Sequence, residues 1–405
     1  MSIQVPEVHL IAGTRPEAIK LAPVARAMRS AGRLAPVLVA SGQHPSMVHQ
    51  ALAAFDQVPE VTLSVDRETG SQSELLTELI RHLDALFAER QPAAVVVQGD
   101  TTTTLAGAMA AFWRRIPVVH LEAGLRSGDL ASPFPEEGNR RLVGQLAALH
   151  LAPTSLAAAN LLGEHVPASS IIITGNTVVD AALEVAGRAE PFDDAAIAAS
   201  VDDAASGHRL VLVTAHRRES WGDPLENILA AVRQLVARHP DIRVVLPSHP
   251  NPAVRAQVDA GLRGVPRTTV TGPLPYAQLT RVLSRSCLTL TDSGGVQEEA
   301  PSFGVPALVL REVTERVESL SAGCAKLVGT DTARIVAEAT ALLDDEAARL
   351  AMASAGNPYG DGLAATRTEQ AVASLLGLAP PAEPMPVLDS VHGPEMSLTA
   401  CGSVA

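Results

Sequence analysis

Val8-His9-Leu10-Ile11-Ala12, followed at once by Gly13-Thr14-Arg15-Pro16-Glu17-Ala18-Ile19-Lys20, decides how this chain folds. The first five residues are an apolar run of strand length, and Pro16 stands at a favourable first helical position, so the turn opens a helix directly after the strand. The unit recurs. Val37–Ala40, Ala94–Val97, Pro117–Leu121, Leu149–Leu151 and Ile171–Ile173 are further short apolar runs with helical stretches between them. Such alternation reads as βαβ units and a parallel sheet covered on both faces. The pattern then restarts with Leu210–Val213, Ile242–Leu246, Thr268–Val270, Leu288–Leu290 and Ala307–Leu310. The expected fold class is α/β, with two doubly wound, Rossmann-like domains facing a cleft at the carboxyl ends of their strands, where ligands bind in such folds.

A chain of 405 residues fits two domains. The first is expected over 1–180 and the second over 181–363, with a hinge near Asn176 to Gly187. Gly187 to His208 is polar enough to be a connector holding one helix. The tail from Leu378 to Ala405 carries Pro380, Pro381, Pro384, Pro386 and Pro394 with little apolar periodicity, and reads as largely disordered.

Composition excludes several functions. With 31 basic and 44 acidic residues the formal charge is −13, which repels a nucleic-acid backbone. Aromatic residues make up 2 %, too few for a base-stacking platform. Cys287, Cys324 and Cys401 show no paired spacing, so neither a disulfide framework nor a metal site is indicated and a reducing cytoplasm is the plain reading. No charged start leads into a long apolar stretch, and no segment stays apolar for about 18 residues, so neither an export signal nor a membrane partner is expected.

Three carboxylates stand at strand exits in the first half: Asp100 in Gly99-Asp100-Thr101, Glu122 in His120-Leu121-Glu122-Ala123-Gly124, and Glu136 in Pro135-Glu136-Glu137. The second half answers with His216-Arg217-Arg218-Glu219 after one strand and Asp292-Ser293-Gly294-Gly295 between a strand and a helix, where paired glycines let backbone N–H groups approach a diphosphate. Acids on one lobe and an anion cradle on the other suggest an enzyme acting on a nucleotide sugar. Each element also has a plain structural reading. Asp100 could cap the following helix, Glu136 and Glu137 could be first-turn acids favouring a helix dipole, Arg15 and Lys20 could be solvated, and Glu299 could merely decorate its helix. His249 in Ser248-His249-Pro250 reads as a structural turn. The dinucleotide fingerprint and the phosphate-loop lysine motif are absent.

Taken together, Gly13–Lys20, Gly99–Thr103, His120-Leu121-Glu122-Ala123-Gly124-Leu125-Arg126, Pro135-Glu136-Glu137, Gly175-Asn176-Thr177, His216–Glu219, Asp292–Glu299 and Asn357-Pro358-Tyr359-Gly360-Asp361-Gly362 resemble, in order, the non-hydrolysing UDP-N-acetylglucosamine 2-epimerases. The resemblance implies a glycosyltransferase-B type fold whose final helix, here 364–377, returns to the first domain, a second domain that binds UDP, and a homodimer. It implies interconversion of UDP-GlcNAc and UDP-ManNAc with no cofactor. UDP would leave C1 as a base removes the C2 proton, giving 2-acetamidoglucal, and would then add back. Position by position it implies Asp100, Glu122 and Glu136 as acid and base candidates and His216 at the departing phosphate. Arg15, Lys20, Ser293, Gly294, Gly295, Glu299 and Arg316 would hold the substrate. Gln43, His44 and Arg217 match places where many bacterial members bind a second, activating UDP-GlcNAc, although Pro45 and Ser46 follow where a basic residue is frequent. Val317 replaces the proline usual after Thr314-Glu315-Arg316. The rival readings are a glycosyltransferase of the same fold, a hydrolysing epimerase and a nucleotide-sugar sensor.

Overall fold

The computed structural model describes residues 5–188, 191–205 and 207–386. Seven strands, β1 (Glu7–Ala12), β2 (Ala35–Ala40), β3 (Val61–Thr62), β4 (Ala94–Gln98), β5 (Val118–Leu121), β6 (Leu149–Ala152) and β7 (Ile171–Ile173), form one sheet in the order β3-β2-β1-β4-β5-β6-β7. Six more, β8 (Arg209–Thr214), β9 (Ile242–Pro247), β10 (Thr268–Thr271), β11 (Ser286–Thr291), β12 (Ala307–Val309) and β13 (Ala325–Leu327), form a second in the order β10-β9-β8-β11-β12-β13. Every pairing is parallel. The strand order reverses between β1 and β4 in one sheet and between β8 and β11 in the other. The turns leaving these four strands therefore border the crevice where doubly wound sheets take ligands.

The central strands are buried on both faces, as parallel sheets require. Val95, Val96 and Val97 are all sealed from solvent. Helix Arg15–Ala31 packs one face through Ala18, Leu21, Ala22 and Ala25, while helix Gln72–Arg90 covers the other with Leu75, Leu79, Leu83 and Phe87, an apolar stripe that recurs every fourth residue. The second sheet is covered in the same manner, with Leu225, Ile228, Leu229, Val232 and Val236 of helix Asp223–Arg238 against one face.

Two short strands lie outside the expected set, β3 and β13, both at sheet edges. β3 has two residues with Thr62 exposed, and Lys326 interrupts β13, so neither shows an apolar run. The stretch read as a hinge is helix Thr177–Ala186, whose first turn is capped by Asn176. Helix Ala364–Leu375 seats Ala365, Ala371, Val372 and Ala373 in the first-lobe core, and Arg33 grips Glu369 of that helix through two bonds of 2.7 and 2.6 Å. Its open N-terminus is capped from elsewhere: the Asp180 carboxylate accepts the Ala364 and Ala365 N–H groups at 3.2 and 2.8 Å. Residues 378–386, read as part of a disordered tail, instead run back over the first lobe. Ala379 and Ala382 pack on its core and the Met385 N–H donates to the Ile173 carbonyl at 2.7 Å. The remainder of that tail, 387–405, lies outside the described residues.

Candidate active site between the lobes

Glu122 follows β5 directly, in left-handed backbone conformation with φ of 63°. Its carboxylate receives three donors from three elements. Lys20 of the first helix donates to Oε1, Asn176 Nδ2 donates to the same oxygen at 2.9 Å, and Gln98 at the end of β4 donates to Oε2. Burial pushes the Glu122 carboxyl up, yet the Lys20 charge and hydrogen bond, the Arg316 charge and the Asn176 bond outweigh it, so the net shift is downward. Lys20 is buried rather than solvated. Burial lowers its ammonium pKa, but the charges of Glu122 and Glu298 more than offset this and raise it. Glu122 in this site is a fixed, ionised carboxylate.

Asp100 leaves β4 one strand away. Thr101, not Asp100, caps helix Thr102–Trp113, its hydroxyl accepting the Thr104 N–H at 3.2 Å. That frees the Asp100 carboxylate, which Arg140 holds at 2.6 and 2.8 Å, while Asn139 donates to its backbone carbonyl at 2.8 Å. Arg140 and Asn139 belong to helix Glu136–Leu146, so this helix fixes Asp100 and brings Glu136, its first residue, beside the same turn. Glu137 turns inward to Arg140, Arg141 and the Ser127 N–H, and although burial raises its carboxyl these partners hold it down. Glu136 makes no ion pair or hydrogen bond among the described side chains and stays half-buried.

Beneath these acids the β1 and β4 turns are tied together. Glu17 Oε2 accepts the Gly13 and Thr14 N–H groups at 2.8 and 2.6 Å, and its Oε1 accepts the Thr101 and Thr104 hydroxyls at 2.6 and 3.1 Å. Gly13 has to be glycine, because a Cβ there would fall 2.1 Å from Thr103 Oγ1. His120 is buried and pushed down to about 3 by desolvation, so the neutral ring donates Nε2–H to the Gly99 carbonyl at 2.8 Å. Arg15 sits exposed at the start of the first helix.

The second lobe is organised by Asp292, fully buried after β11. Its Oδ2 accepts the His216 and Arg217 N–H groups at 2.8 Å each and the Ser220 hydroxyl at 2.9 Å, which sets the turn after β8. The His216 ring lies 3.4 Å from Oδ1 with its side chain 46 % exposed to the cleft. Burial lowers the imidazole pKa, Asp292 opposes that, and Arg217, His249 and Arg15 push it down further, leaving it below the ordinary value. Ser293 caps helix Gly294–Glu299, and Gly294 lies under the Arg316 guanidinium, where a Cβ would come within 3.1 Å of Arg316 Cζ. Glu298 holds Arg316 at 2.9 and 3.0 Å. A Cβ on Gly295 would make ordinary contacts with Glu299 Oε1 and Ser293 Oγ, at 3.8 and 3.9 Å. Glu299 points inward rather than decorating its helix; burial and the Glu298 charge push its carboxyl up to about 8.

The two halves act on one another. Glu298 raises the pKa of Lys20, Arg316 lowers that of Glu122, and Arg15 bears on both His216 and Glu299. Thr154 of the first lobe donates to Glu318 of the second at 2.8 Å. The structure thus brings Lys20, Glu122, Arg316 and the Ser293-Gly294 turn to one cleft, with Asp100 on the β4 turn beside Glu122 and Glu136 at the start of the helix that holds Asp100. Gln43 and His44 border the same β1 and β4 turns: Thr103 donates to Gln43 Oε1 at 2.8 Å, and His44, just before helix Pro45–Ala53, donates its N–H to the Gly13 carbonyl at 3.1 Å. Arg217 is half-buried near Arg311, and burial and that neighbour lower its pKa.

Sequence reasoning passed over Gln98, Arg140, Glu17, Glu298 and the side chain of Asn176. Gln98 was visible as a polar residue ending an otherwise apolar strand, and Thr14 with Glu17 as a capping-box spacing. Arg140 carried no signal, since its partner stands 40 residues away. Among the described residues no group of three or more His, Cys, Asp or Glu is placed to hold a metal ion, and no helix is long and apolar enough to cross a membrane.

Two facing parallel-sheet lobes with this charged cleft define an α/β architecture of the glycosyltransferase-B type. The family model described as UDP-N-acetylglucosamine 2-epimerase matches residues 26–373. The Escherichia coli K12 UDP-N-acetylglucosamine 2-epimerase is 44 % identical over 368 residues, spanning 90 % of this chain and 98 % of that protein. The crystal structure of a Listeria monocytogenes relative superposes with a TM-score of 0.88 at 39 % identity, over 95 % of this chain and all of that one. The Neisseria meningitidis UDP-GlcNAc 2-epimerase, solved bound to UDP-GlcNAc, gives 0.81 at 38 % identity, over 93 % and 100 %. This chain belongs to the UDP-N-acetylglucosamine 2-epimerase family.

Proposed function

We propose that this protein interconverts UDP-GlcNAc and UDP-ManNAc reversibly, without hydrolysis, as a non-hydrolysing isomerase. The observation that carries the reading is an ionised, immobilised Glu122 within the field of Arg316, which packs on the Ser293-Gly294 turn, with the charges of each lobe felt by the other. Removal of the sugar C2 hydrogen is unfavourable because no carbonyl adjoins it. Expulsion of UDP supplies the driving force: a carboxylate takes the C2 proton, the C1–O electrons depart with the β-phosphate, and C1=C2 of 2-acetamidoglucal forms. UDP then re-adds at C1 as a proton is delivered to the opposite face of C2.

Two faces call for two proton-handling groups, and Asp100, Glu122 and Glu136 are the candidates. The environments differ in the way such a division of labour needs: Glu122 is locked by Lys20 and two amides, Asp100 is paired with Arg140, and Glu136 is unpaired. His216 receives the departing phosphate. Its ring is held neutral by burial and three neighbouring cationic or imidazole groups, and an arriving diphosphate reverses that balance, so the ring charges when the leaving group needs it. Arg15, Lys20, Ser293, Gly294, Gly295 and Arg316 hold the diphosphate and sugar. Glu299, with its carboxyl pushed up to about 8, suits a ribose hydroxyl pair.

The enzyme works in the cytoplasm as a homodimer, and the exposed Phe112, Trp113 and Leu142 offer an apolar face for the second copy. A second UDP-GlcNAc would lodge by Gln43, His44 and Arg217. The test is Glu122→Gln: turnover should fall by at least about 100-fold, the scale of a lost general base, while UDP binding persists. A variant with the wild-type rate removes Glu122 from the reaction.

A further inference from the structure

We infer that Asn176 is a positioning residue for the reaction, holding the Glu122 carboxylate in place through its side-chain amide; this rests on the reading of Glu122 as a proton-handling group. Asn176 is 3 % exposed and its amide is engaged at both ends. Oδ1 accepts the Val178 N–H at 3.0 Å, capping helix Thr177–Ala186, and Nδ2 donates to Glu122 Oε1 at 2.9 Å. A flipped amide would set its NH2 against the Val178 N–H and its oxygen against a carboxylate, so the cap dictates which end faces Glu122. The backbone is fixed too, with the Asn176 N–H donating to the Tyr359 carbonyl at 2.6 Å.

Lys20 alone supplies charge but little direction, because an ammonium acts as a point charge with rotatable donors. The amides of Asn176 on Oε1 and Gln98 on Oε2 address one carboxylate oxygen each and so define its plane. They also donate without carrying charge, and therefore favour the carboxylate form while leaving the cleft's net charge unchanged. Tyr359 lies in the stretch that leads from the second lobe to the returning helix, and its hydroxyl meets Ser319 at 2.9 Å. Asn176 thus connects the orientation of Glu122 to the segment joining the lobes.

Asn176→Asp and Asn176→Ser both keep an oxygen that caps the helix, and both remove the Nδ2 amide that donates to Glu122. The Asp variant also places a like charge against Glu122, which raises its pKa. The experiment is the pH profile of kcat/KM for UDP-GlcNAc with each folded variant, alongside Glu122→Gln. The acid limb should move up by about one pH unit or more in the Asp variant and by less in the Ser variant. At neutral pH kcat should fall about tenfold or more in the Asp variant, with KM changed less than about threefold. An unmoved acid limb in both variants, or a rise in KM alone, overturns the positioning role. If Glu122→Gln is inactive in that case, only the role of Asn176 fails; if Glu122→Gln turns over at the wild-type rate, the reading of Glu122 fails and the role of Asn176 falls with it.

Discussion

Lys20 and Glu122, 102 residues apart in the chain, form a buried ion pair at the carboxyl end of the first sheet, with side chains 11 % and 7 % exposed. Removing one partner of such a pair leaves a charge in a poorly solvated site, which costs far more than the pair itself contributes. Lys20→Met keeps the length and apolar stem while deleting the charge. Its stability by urea unfolding should drop by about 3 kcal/mol, and turnover should collapse because Glu122 loses the cation that holds its pKa down. Wild-type stability in this variant would mean the pair is not made in solution.

Gly294 lies against the Arg316 guanidinium, where an added Cβ would sit 3.1 Å from Cζ. That contact is tight enough to displace Arg316, whose position is otherwise set by Glu298. Gly294→Ala should therefore weaken UDP binding about tenfold, or about 1.4 kcal/mol by calorimetry, while the melting temperature stays near that of the wild type. Unchanged UDP affinity would place Arg316 and this turn outside the nucleotide site.

Asp180 provides a prediction about pH. Burial pushes its carboxyl up to about 6 despite the N–H donors of Ala364 and Ala365. A carboxyl raised above its unfolded value binds its proton more tightly in the folded protein, so the stability it contributes is complete below the unfolded pKa and is lost as pH rises through about 6. Asparagine does not titrate. Relative to Asp180→Asn, the wild type should gain about 1 kcal/mol on acidification from pH 7 to pH 5. A gap that stays constant, or moves the other way, would show that Asp180 is not buried against the returning helix.

The architecture was legible because a parallel sheet buried on both faces has to be written in continuous apolar runs, and β4, with three valines in succession, is an instance. β3 and β13 escaped because edge strands need no such run. Helix Thr177–Ala186 occupies the stretch read as a hinge: Val178, Val179, Ala181 and Val185 are buried, but a helix next to a domain junction reads as a connector when its partners are remote in sequence. The same distance hid the site's wiring. Turn chemistry announced Gly13, Gly294 and the three acids locally, whereas Lys20 with Glu122, Arg140 with Asp100, and Asn176 with Glu122 exist only once βαβ crossovers bring their turns together. Asp100 was open to reading as a cap, since any of several neighbouring oxygens could fill that place; Thr101 fills it and leaves Asp100 for Arg140.

The central claim is that a proton is exchanged at sugar C2 while UDP is detached, and incubation with UDP-GlcNAc in heavy water measures this directly. The account predicts UDP-ManNAc carrying deuterium at C2, exchange of the same position in the UDP-GlcNAc pool as the reaction reverses, and traces of 2-acetamidoglucal with UDP. UDP-ManNAc without label, or free ManNAc as the main product, would contradict it.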